Sequence, residues 1–594
     1  MHVVATAGHV DHGKSTLVDA LTGMQSDRLR EERERGLSIK LGYVWTSLPD
    51  IGDVAFVDVP GHERFVTTML AGVGPVPAVL LVVAADDPWM PQAAEHLAAL
   101  DALHVQHGVV AVTRADLTDP GPMMERAAVE VARTTLRGAP VVAVSAPTGA
   151  GLPELRTALT EMLAGVVESD PGEDVRLWVD RRFTIRGAGT VVTATLPAGT
   201  LARGDALEVH EGDRTGTVRV RGLQALGNPV DQVTGTARVA LNLTGDDVAL
   251  AERGAALVTP RAWRPTDVVD CRVRGERGRL PSLPLLHVGA TAVTVRTRLL
   301  AGEGGDLVRL TLDAPLPLRV GDRALLRDPG SRQVWGLEVL DPAPPALRRR
   351  GAAAARAKIL TPLAGTPDLP SELDRRGVVH RSFLRRIGVP TEVLPPGTVE
   401  AAGWLMSEQR ADDVATRVAE DVATQAASRP LDPGPTPQAV ADRLGLPAPE
   451  LLLACLRPPL RVDNGRVVSG TAPGTLPPEV ETAVGAIERD LAEAPFAAPT
   501  ADRLMELGLD DRRAAAAAKA GRLLRLAPGV VLLPGAVELA VRRLADLRQP
   551  FTTSEARQRL ATSRRVALPL LDHLDRARLT RRLADDRREL LSRD

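Results

Sequence analysis

Along the first 168 residues, short unbroken apolar runs alternate with stretches whose apolar positions return every three or four residues. The runs are His2–Ala7, Val54–Val59, Ala78–Ala84, Val109–Thr113 and Val141–Ser145. A short run without polar interruption reads as a strand buried on both faces. Pro91–Leu103, with Ala94, Leu97 and Leu100 on one side, reads as a one-faced helix. Alternation of the two predicts an α/β domain, a parallel sheet with helices on both faces. Between about 172 and 342 the period falls to two, as in Gly189–Leu196, Thr217–Gly222 and Ala237–Leu243, with glycine turns and little helix. That pattern predicts two β-barrels, 172–260 and 265–342, parted near Pro260–Pro265.

Beyond Pro342, helical stretches rich in alanine, leucine and arginine are separated by proline-rich joints at Pro342–Pro345, Pro430–Pro437 and Ala472–Pro478. Three stretches end in a hairpin signal. Arg461–Val468 turns at Asn464-Gly465, Leu524–Leu533 at Pro528-Gly529, and Leu579–Leu590 at Asp585-Asp586. Helices closed by a hairpin at a recurring interval predict winged-helix modules; an irregular helical domain with incidental turns is the other reading. The expected domains are 1–168, 172–260 and 265–342, then four winged-helix modules at 343–425, 426–472, 473–546 and 547–594.

Composition narrows the class. The 594 residues are 44% apolar and 25% charged with a net charge of −2, which suits a soluble multidomain protein and excludes a wholly basic nucleic-acid coat. Cys271 and Cys455 are too few for a disulfide framework or a thiolate zinc site, so a reducing cytoplasm is expected. The longest apolar run, around Pro77–Ala85, falls far short of the roughly 20 residues of a membrane span. No signal peptide is expected before the strand at Val3 and Val4. Of 73 basic residues only Lys14, Lys40, Lys358 and Lys519 are lysine. Coding bias towards G and C accounts for most of that imbalance, and a lysine kept against it marks a position to inspect.

Lys14 lies in such a position. Gly8-His9-Val10-Asp11-His12-Gly13-Lys14-Ser15 fits G-x-x-x-x-G-K-[ST], between the first strand and a predicted helix, and with Thr16 is the expected nucleotide-binding segment. The two glycines let successive N–H groups face phosphates, and the helix N-terminus adds positive potential. Lys14 reaches the β- and γ-phosphates, and Ser15 offers its hydroxyl to Mg²⁺. Asp58-Val59-Pro60-Gly61 ends the second run. There Asp58 serves the metal and the Gly61 N–H senses the γ-phosphate. Ser38, in the charged stretch Arg35–Ile39, supplies a second hydroxyl to the metal. Thr113-Arg114-Ala115-Asp116 stands where the base is read, and Asp116 accepts from the N1–H and exocyclic amine of guanine, which adenine cannot provide. A site that leaves a buried acceptor unpaired rejects the wrong base by about 10⁴–10⁵. Ser145-Ala146 closes over the base. The motif set predicts a GTPase with GTP and Mg²⁺ as its ligands.

These residues resemble the translational GTPases, whose phosphate loop commonly reads G-H-V-D-H-G-K-[ST]. Their base motif is usually N-K-x-D, from which Thr113 and Arg114 depart, and their switch hydroxyl is usually threonine rather than Ser38. His62 matches the histidine that positions the attacking water in that family, and Val10 and Leu37 match the apolar pair flanking it. The predicted catalytic set is therefore His62, Asp58 and Gly61. The chain past 342 narrows the likeness to the bacterial selenocysteine-specific elongation factors. The residues that carry it are Arg35–Tyr43, Asp180–Val192, Arg238–Leu243, Gly377–Arg386 and Thr562–Arg582.

That resemblance implies binding of selenocysteyl-tRNA, the ribosome and a selenoprotein mRNA hairpin marking a UGA codon, by a monomer that touches no membrane. An aspartate and two arginines around the aminoacyl group map onto Asp180, Arg181 and Arg238. Two guanidiniums distinguish an ionised selenolate from a serine hydroxyl, and Asp180 suits the cationic α-amino group. From Leu547 onward twelve arginines face seven acidic residues. Thr562 or Ser563 is expected to cap a helix with apolar face Val566, Leu570, Leu571 and Leu574. Arg564 and Arg565 in its first turn, with Arg581 and Arg582 in the wing, are the expected RNA contacts. A general elongation or initiation factor, and a GTP-switched winged-helix DNA-binding regulator, are the alternatives.

Overall fold

A computed structural model describes every residue except 26–40, 61–67, 70, 71, 73, 75, 188, 276–279, 301, 303, 304, 332, 429–433, 470–475 and 592–594. It divides into two compact units, Met1–Pro396 and Gly397–Asp594.

The first unit opens with a six-stranded sheet. Its strands are β1 (His2–Ala7), β2 (Gly42–Leu48), β3 (Gly52–Asp58), β4 (Ala78–Ala84), β5 (His107–Thr113) and β6 (Val141–Ala143), in the order β2-β3-β1-β4-β5-β6. Four pairings are parallel. The exception corrects the expected wholly parallel sheet: β2 runs antiparallel to β3, reached through a tight turn with Asp50 and Gly52 at positive φ. Tyr43 and Trp45 flank the buried Val44, and Thr46 and Ser47 are polar and not buried, so this edge strand lacks the unbroken apolar run that marks the others. Alternation puts Val3, Ala5, Val79, Leu81 and Val83 in one core and Val4, Leu80 and Val82, with Leu17, Val18 and Leu159, in the other. The helix Pro91–Ala102 buries Ala93, His96, Leu97, Ala99 and Leu100. Ala94, expected on the apolar face, points outward instead.

Of the ten strands among the described residues between Arg176 and Val258, eight make one sheet around a core cluster that includes Leu177, Val192, Val220, Leu241 and Leu257, and Thr200–Ala202 pairs separately with Gln232–Thr234. Pro265–Asp341 closes as a six-stranded barrel. The helices Ala352–Leu360 and Leu369–Arg376 are joined to it by buried ion pairs. Asp270, fully buried, takes Arg309 Nε at 2.7 Å and Arg356 Nε at 2.8 Å, while Asp341 takes Arg375 at 2.5 Å and Arg376 at 2.6 Å. Burial alone would raise the Asp341 carboxyl, but the guanidiniums of Arg375, Arg376 and Arg356 hold it below its ordinary value. The division at Pro396 thus falls inside the span 343–425.

The second unit repeats one order three times among its described residues: three helices, then a hairpin. Glu408–Ser428, Pro437–Leu444 and Pro449–Cys455 precede the hairpin Leu460–Asp463/Arg466–Ser469. Pro478–Glu493, Ala501–Glu506 and Asp511–Lys519 precede Leu524–Ala527/Val530–Leu532. Ala536–Ala545, Thr553–Arg559 and Arg564–Arg576 precede Thr580–Arg582/Arg588–Leu590. Asn464 and Gly465 both take positive φ, the geometry that lets a two-residue turn follow the twist of its strands. Thr552 and Glu555 form a reciprocal capping box. Residues from Val480 to Leu574 share one hydrophobic cluster, so the last two repeats have a common core.

Candidate functional site

The phosphate loop leaves β1 and enters α1 (Lys14–Thr22) through Gly13, which sits in the left-handed region at φ 77°. Gly8 has φ 132°, and a Cβ there would lie 2.0 Å from the Val82 carbonyl oxygen on β4. Only glycine fits where loop and strand press together. The Gly8 N–H donates to His96 Nδ1 at 2.9 Å, from the middle of the helix Pro91–Ala102. His96 is 2% exposed, and burial, with the nearby Lys14 and His9, lowers its pKa to about 3. It is therefore a fixed neutral acceptor. Burial, helped by His9, also lowers His12 to about 4, although Asp87 lies 3.5 Å away. His9 and His12 meet edge to face with centroids 4.9 Å apart. Nothing in the sequence pointed to His96 except a titratable residue inside an apolar helical stripe.

Lys14 is buried and donates to the Gly8 carbonyl at 3.1 Å and the His9 carbonyl at 2.6 Å, curling its ammonium over the loop. Ser15 Oγ donates to Asp58 Oδ2 at 2.7 Å, and Asp58 Oδ1 accepts from Thr6 Oγ1 at 2.8 Å. The Thr6 hydroxyl also accepts from the Val59 N–H at 3.0 Å, so the end of β3 is pinned to β1. A hydroxyl and a buried carboxylate converging from two loops make a hard-oxygen pair of the kind Mg²⁺ takes. His9 and Val10 are half-buried, while Asp11 and Thr16 are exposed. Gly61, His62 and Ser38, with Leu37, lie outside the described residues.

The base-reading loop follows β5. The buried Thr113 hydroxyl donates to the His12 carbonyl at 2.8 Å and sits 3.2 Å from that of Val83. Arg114 holds φ 58° and donates through one nitrogen to both carboxylate oxygens of Asp86 at 3.0 Å, and through the other to the Asp11 carbonyl. Thr113 and Arg114, departures from the usual motif by type, thus tie two adjacent carbonyls of the phosphate loop. Asp116 stays exposed beyond them, and the Ala115 N–H donates to the Val144 carbonyl at 3.2 Å. Ser145 is buried and accepts from the Thr148 N–H at 3.3 Å, with Ala146 half-buried beside it.

Asp180, Arg181 and Arg238 come together where β2 meets the second sheet. Asp180 Oδ1 accepts from Arg238 at 2.7 Å, from Thr193 Oγ1 at 2.8 Å and from Tyr43 OH at 3.3 Å, while Oδ2 takes the other Arg238 nitrogen. The Arg238 guanidinium lies 3.7 Å from the centroid of the Tyr43 ring and that of Arg181 5.0 Å. Burial would lower the Arg238 pKa, but Asp180 and Tyr43 raise it; burial likewise raises the Tyr43 phenol. Asp180 is thus already filled, which differs from its expected use as an open partner for an ammonium. A cavity of about 150 Å³ lined by Tyr43, Trp45, Phe56, Gln224, Leu226 and Arg238 adjoins the cluster. Tyr43, the single tyrosine, was missed as a site residue because β2 was missed as a strand.

The C-terminal arginines divide. Arg565, expected on RNA, is exposed and donates to the carbonyls of Gly529 at 3.1 Å, Ala498 at 3.0 Å and Pro499 at 2.6 Å. Arg581 pairs with Glu589 and Arg582 with Asp586 on the wing, both exposed. Arg564 is exposed at the helix start. Ser563 holds the N-cap position without a side-chain bond, and Thr562 donates to the Phe496 carbonyl, so neither caps as expected. Val566, Leu570, Leu571 and Leu574 are buried as the pattern required.

Comparison with known proteins agrees with this layout. Residues 1–165 match the family model of the elongation factor Tu GTP-binding domain, 285–346 that of the selenocysteine-specific elongation factor β-barrel domain, and 542–588 that of the elongation factor SelB winged helix. The selenocysteine-specific elongation factor of Escherichia coli is 31% identical over 617 residues, covering 98% of this chain and 98% of that protein. The chain belongs to the selenocysteine-specific elongation factors. Another member, from Desulfomicrobium baculatum, is 37% identical over 58% of this chain, and the match spans just over half of that relative's length, 57%. The crystal structure of a bacterial selenocysteine-specific elongation factor shares the fold, with a TM-score of 0.70 at 24% identity over 100% of both chains. The family's GTPase domain is of the elongation factor Tu type, which uses GTP and Mg²⁺.

Proposed function

We propose that this chain binds selenocysteyl-tRNA in its GTP state, delivers it to the ribosome at UGA codons marked by an mRNA hairpin, and hydrolyses GTP when the codon is recognised. It works in the cytoplasm as a monomer. The observation that carries this reading is the Asp180–Arg238–Tyr43 cluster. It fixes a guanidinium, backed by a second at Arg181, at the seam between the nucleotide-binding sheet and the next domain.

The loop after Gly8 aims its N–H groups at the phosphates, Lys14 exchanges its carbonyl partners for phosphate oxygens, and Asp116 takes the guanine edge. Ser15 and Asp58 hold Mg²⁺, which when bound neutralises charge on the β- and γ-phosphates. Ser38, Gly61 and His62 are assigned to the metal, the γ-phosphate and the attacking water. In the aminoacyl pocket Asp180 orients Arg238, and the two arginines discriminate by charge, since a selenol is largely ionised at neutral pH and a serine hydroxyl is not. The second unit's exposed Arg564, Arg581 and Arg582 contact the RNA hairpin, and Arg565 holds the module they stand on. Among the described residues no helix is long and apolar enough to cross a membrane.

The test is GTP-dependent filter binding of one tRNA charged with serine or with selenocysteine. Selective retention of the selenocysteylated form is expected; equal affinity for the two forms overturns the proposed aminoacyl selectivity.

A further inference from the structure

Arg114, like Asp11, takes a positive φ in the nucleotide site, and it is the longer side chain of the two. A long residue at φ 58° holds a left-handed conformation at a cost that its surroundings must offset. Its guanidinium bridges two other segments. One nitrogen reaches the Asp11 carbonyl of the phosphate loop, and the other is shared between the two oxygens of Asp86 at 3.0 Å, with Asp87 3.8 Å away. Asp86 follows β4, so three loops at the ends of β1, β4 and β5 meet on a single guanidinium. Arg114 stands two residues before Asp116 on the same short turn.

We propose that Asp86 is a positioning residue for guanine recognition. Its carboxylate locks the Arg114 fork across the phosphate loop, which fixes the left-handed backbone at 114 and with it the direction in which Asp116 faces the base. Thr113, anchored to the His12 carbonyl, holds one end of that turn, and Arg114 holds the middle. Without Asp86 the guanidinium keeps one carbonyl acceptor and only the more distant Asp87 carboxylate, other rotamers open to it, and the turn carrying Asp116 relaxes. Asp86 itself never meets the nucleotide. The inference rests on the guanine reading of Asp116 given above.

Inosine diphosphate, which lacks the exocyclic amine that Asp116 accepts from, separates positioning from general loop damage. In the full chain, Asp86→Ala is expected to lower the ratio of GDP to IDP affinity by about tenfold, the scale of a charged hydrogen bond. Asp86→Asn, which keeps one acceptor oxygen, should recover part of that ratio. Arg114→Ala should match Asp86→Ala, and the double variant should be no worse than either. Equal loss of GDP and IDP binding in Asp86→Ala overturns the proposal, since that is the signature of a damaged phosphate loop. So does an unchanged ratio, or additive loss in the double variant. A native chain that binds GDP no better than IDP overturns the guanine reading itself, an outcome visible before any variant is made.

Discussion

Replacing His96 by leucine removes the acceptor of the Gly8 N–H while leaving the helix apolar and filled. The N–H is buried and directed at the imidazole at 2.9 Å, and Gly8 holds φ 132° where a Cβ would lie 2.0 Å from the Val82 carbonyl oxygen, so loop and strand are pressed together there. A buried donor left without a partner costs about 1–3 kcal/mol. To the extent that the free loop escapes this by disordering, nucleotide binding must reorder it, and GDP affinity falls by about 5- to 150-fold. Asparagine places an amide oxygen near the position of Nδ1, so His96→Asn should restore binding to within a few fold of the native chain. Fluorescent GDP titration measures both. The pH dependence gives a second reading. With a folded pKa of about 3 against an ordinary 6.5, the unfolded chain takes up a proton below pH 6.5 that the folded chain refuses. Stability from this group is complete above pH 6.5 and drains away towards pH 3 at about 1.4 kcal/mol per unit. His96→Asn should lack that slope and resist acid unfolding better. GDP binding by His96→Leu equal to native, or asparagine no better than leucine, refutes the reasoning.

Thr113→Val keeps shape and loses the bond to the His12 carbonyl; GDP affinity should drop by roughly tenfold, read by the same titration, while Thr113→Ser should bind nearly as well as native. Arg238→Lys cannot fork both oxygens of Asp180, so GTP-dependent retention of selenocysteyl-tRNA should fall with seryl-tRNA binding unaffected, checked by filter binding. Arg565→Ala frees three backbone acceptors and should lower the thermal unfolding of the full chain's C-terminal part by a few degrees. Arg564→Ala should leave melting unchanged and weaken hairpin binding in a gel shift.

The strands that carry the nucleotide motifs were legible because a core strand buried on both faces leaves an unbroken apolar run. β2 escaped because an edge strand is half-wet, and its loss hid Tyr43 although the residue is unique in the chain. Thr113 looked like a weakened motif by type alone; its worth lies in a hydroxyl aimed at a carbonyl a hundred residues away, a pairing no local pattern encodes. Arg565 is the opposite case. Its position in a basic helix start points to RNA, and the carbonyls of 498, 499 and 529 that it also holds are acceptors that composition cannot reveal. In a chain whose cations are nearly all arginine, residue type carries little weight until the partners are seen. The three hairpins closing the C-terminal repeats were readable because their turn chemistry is local.

The dry lattice of carboxylates and guanidiniums joining the barrel to Ala352–Leu360 and Leu369–Arg376 has a thermal consequence. Hydration of charged groups becomes less favourable on heating, so the cost of keeping Asp270, Asp341, Arg356 and their partners away from water falls, while apolar burial gains little more. This joint should therefore be among the last contacts of the first unit to loosen in a warming cell. A factor stiffened there keeps the start of its C-terminal extension fixed on the barrel as the temperature rises, when packing held by apolar surface alone has begun to yield.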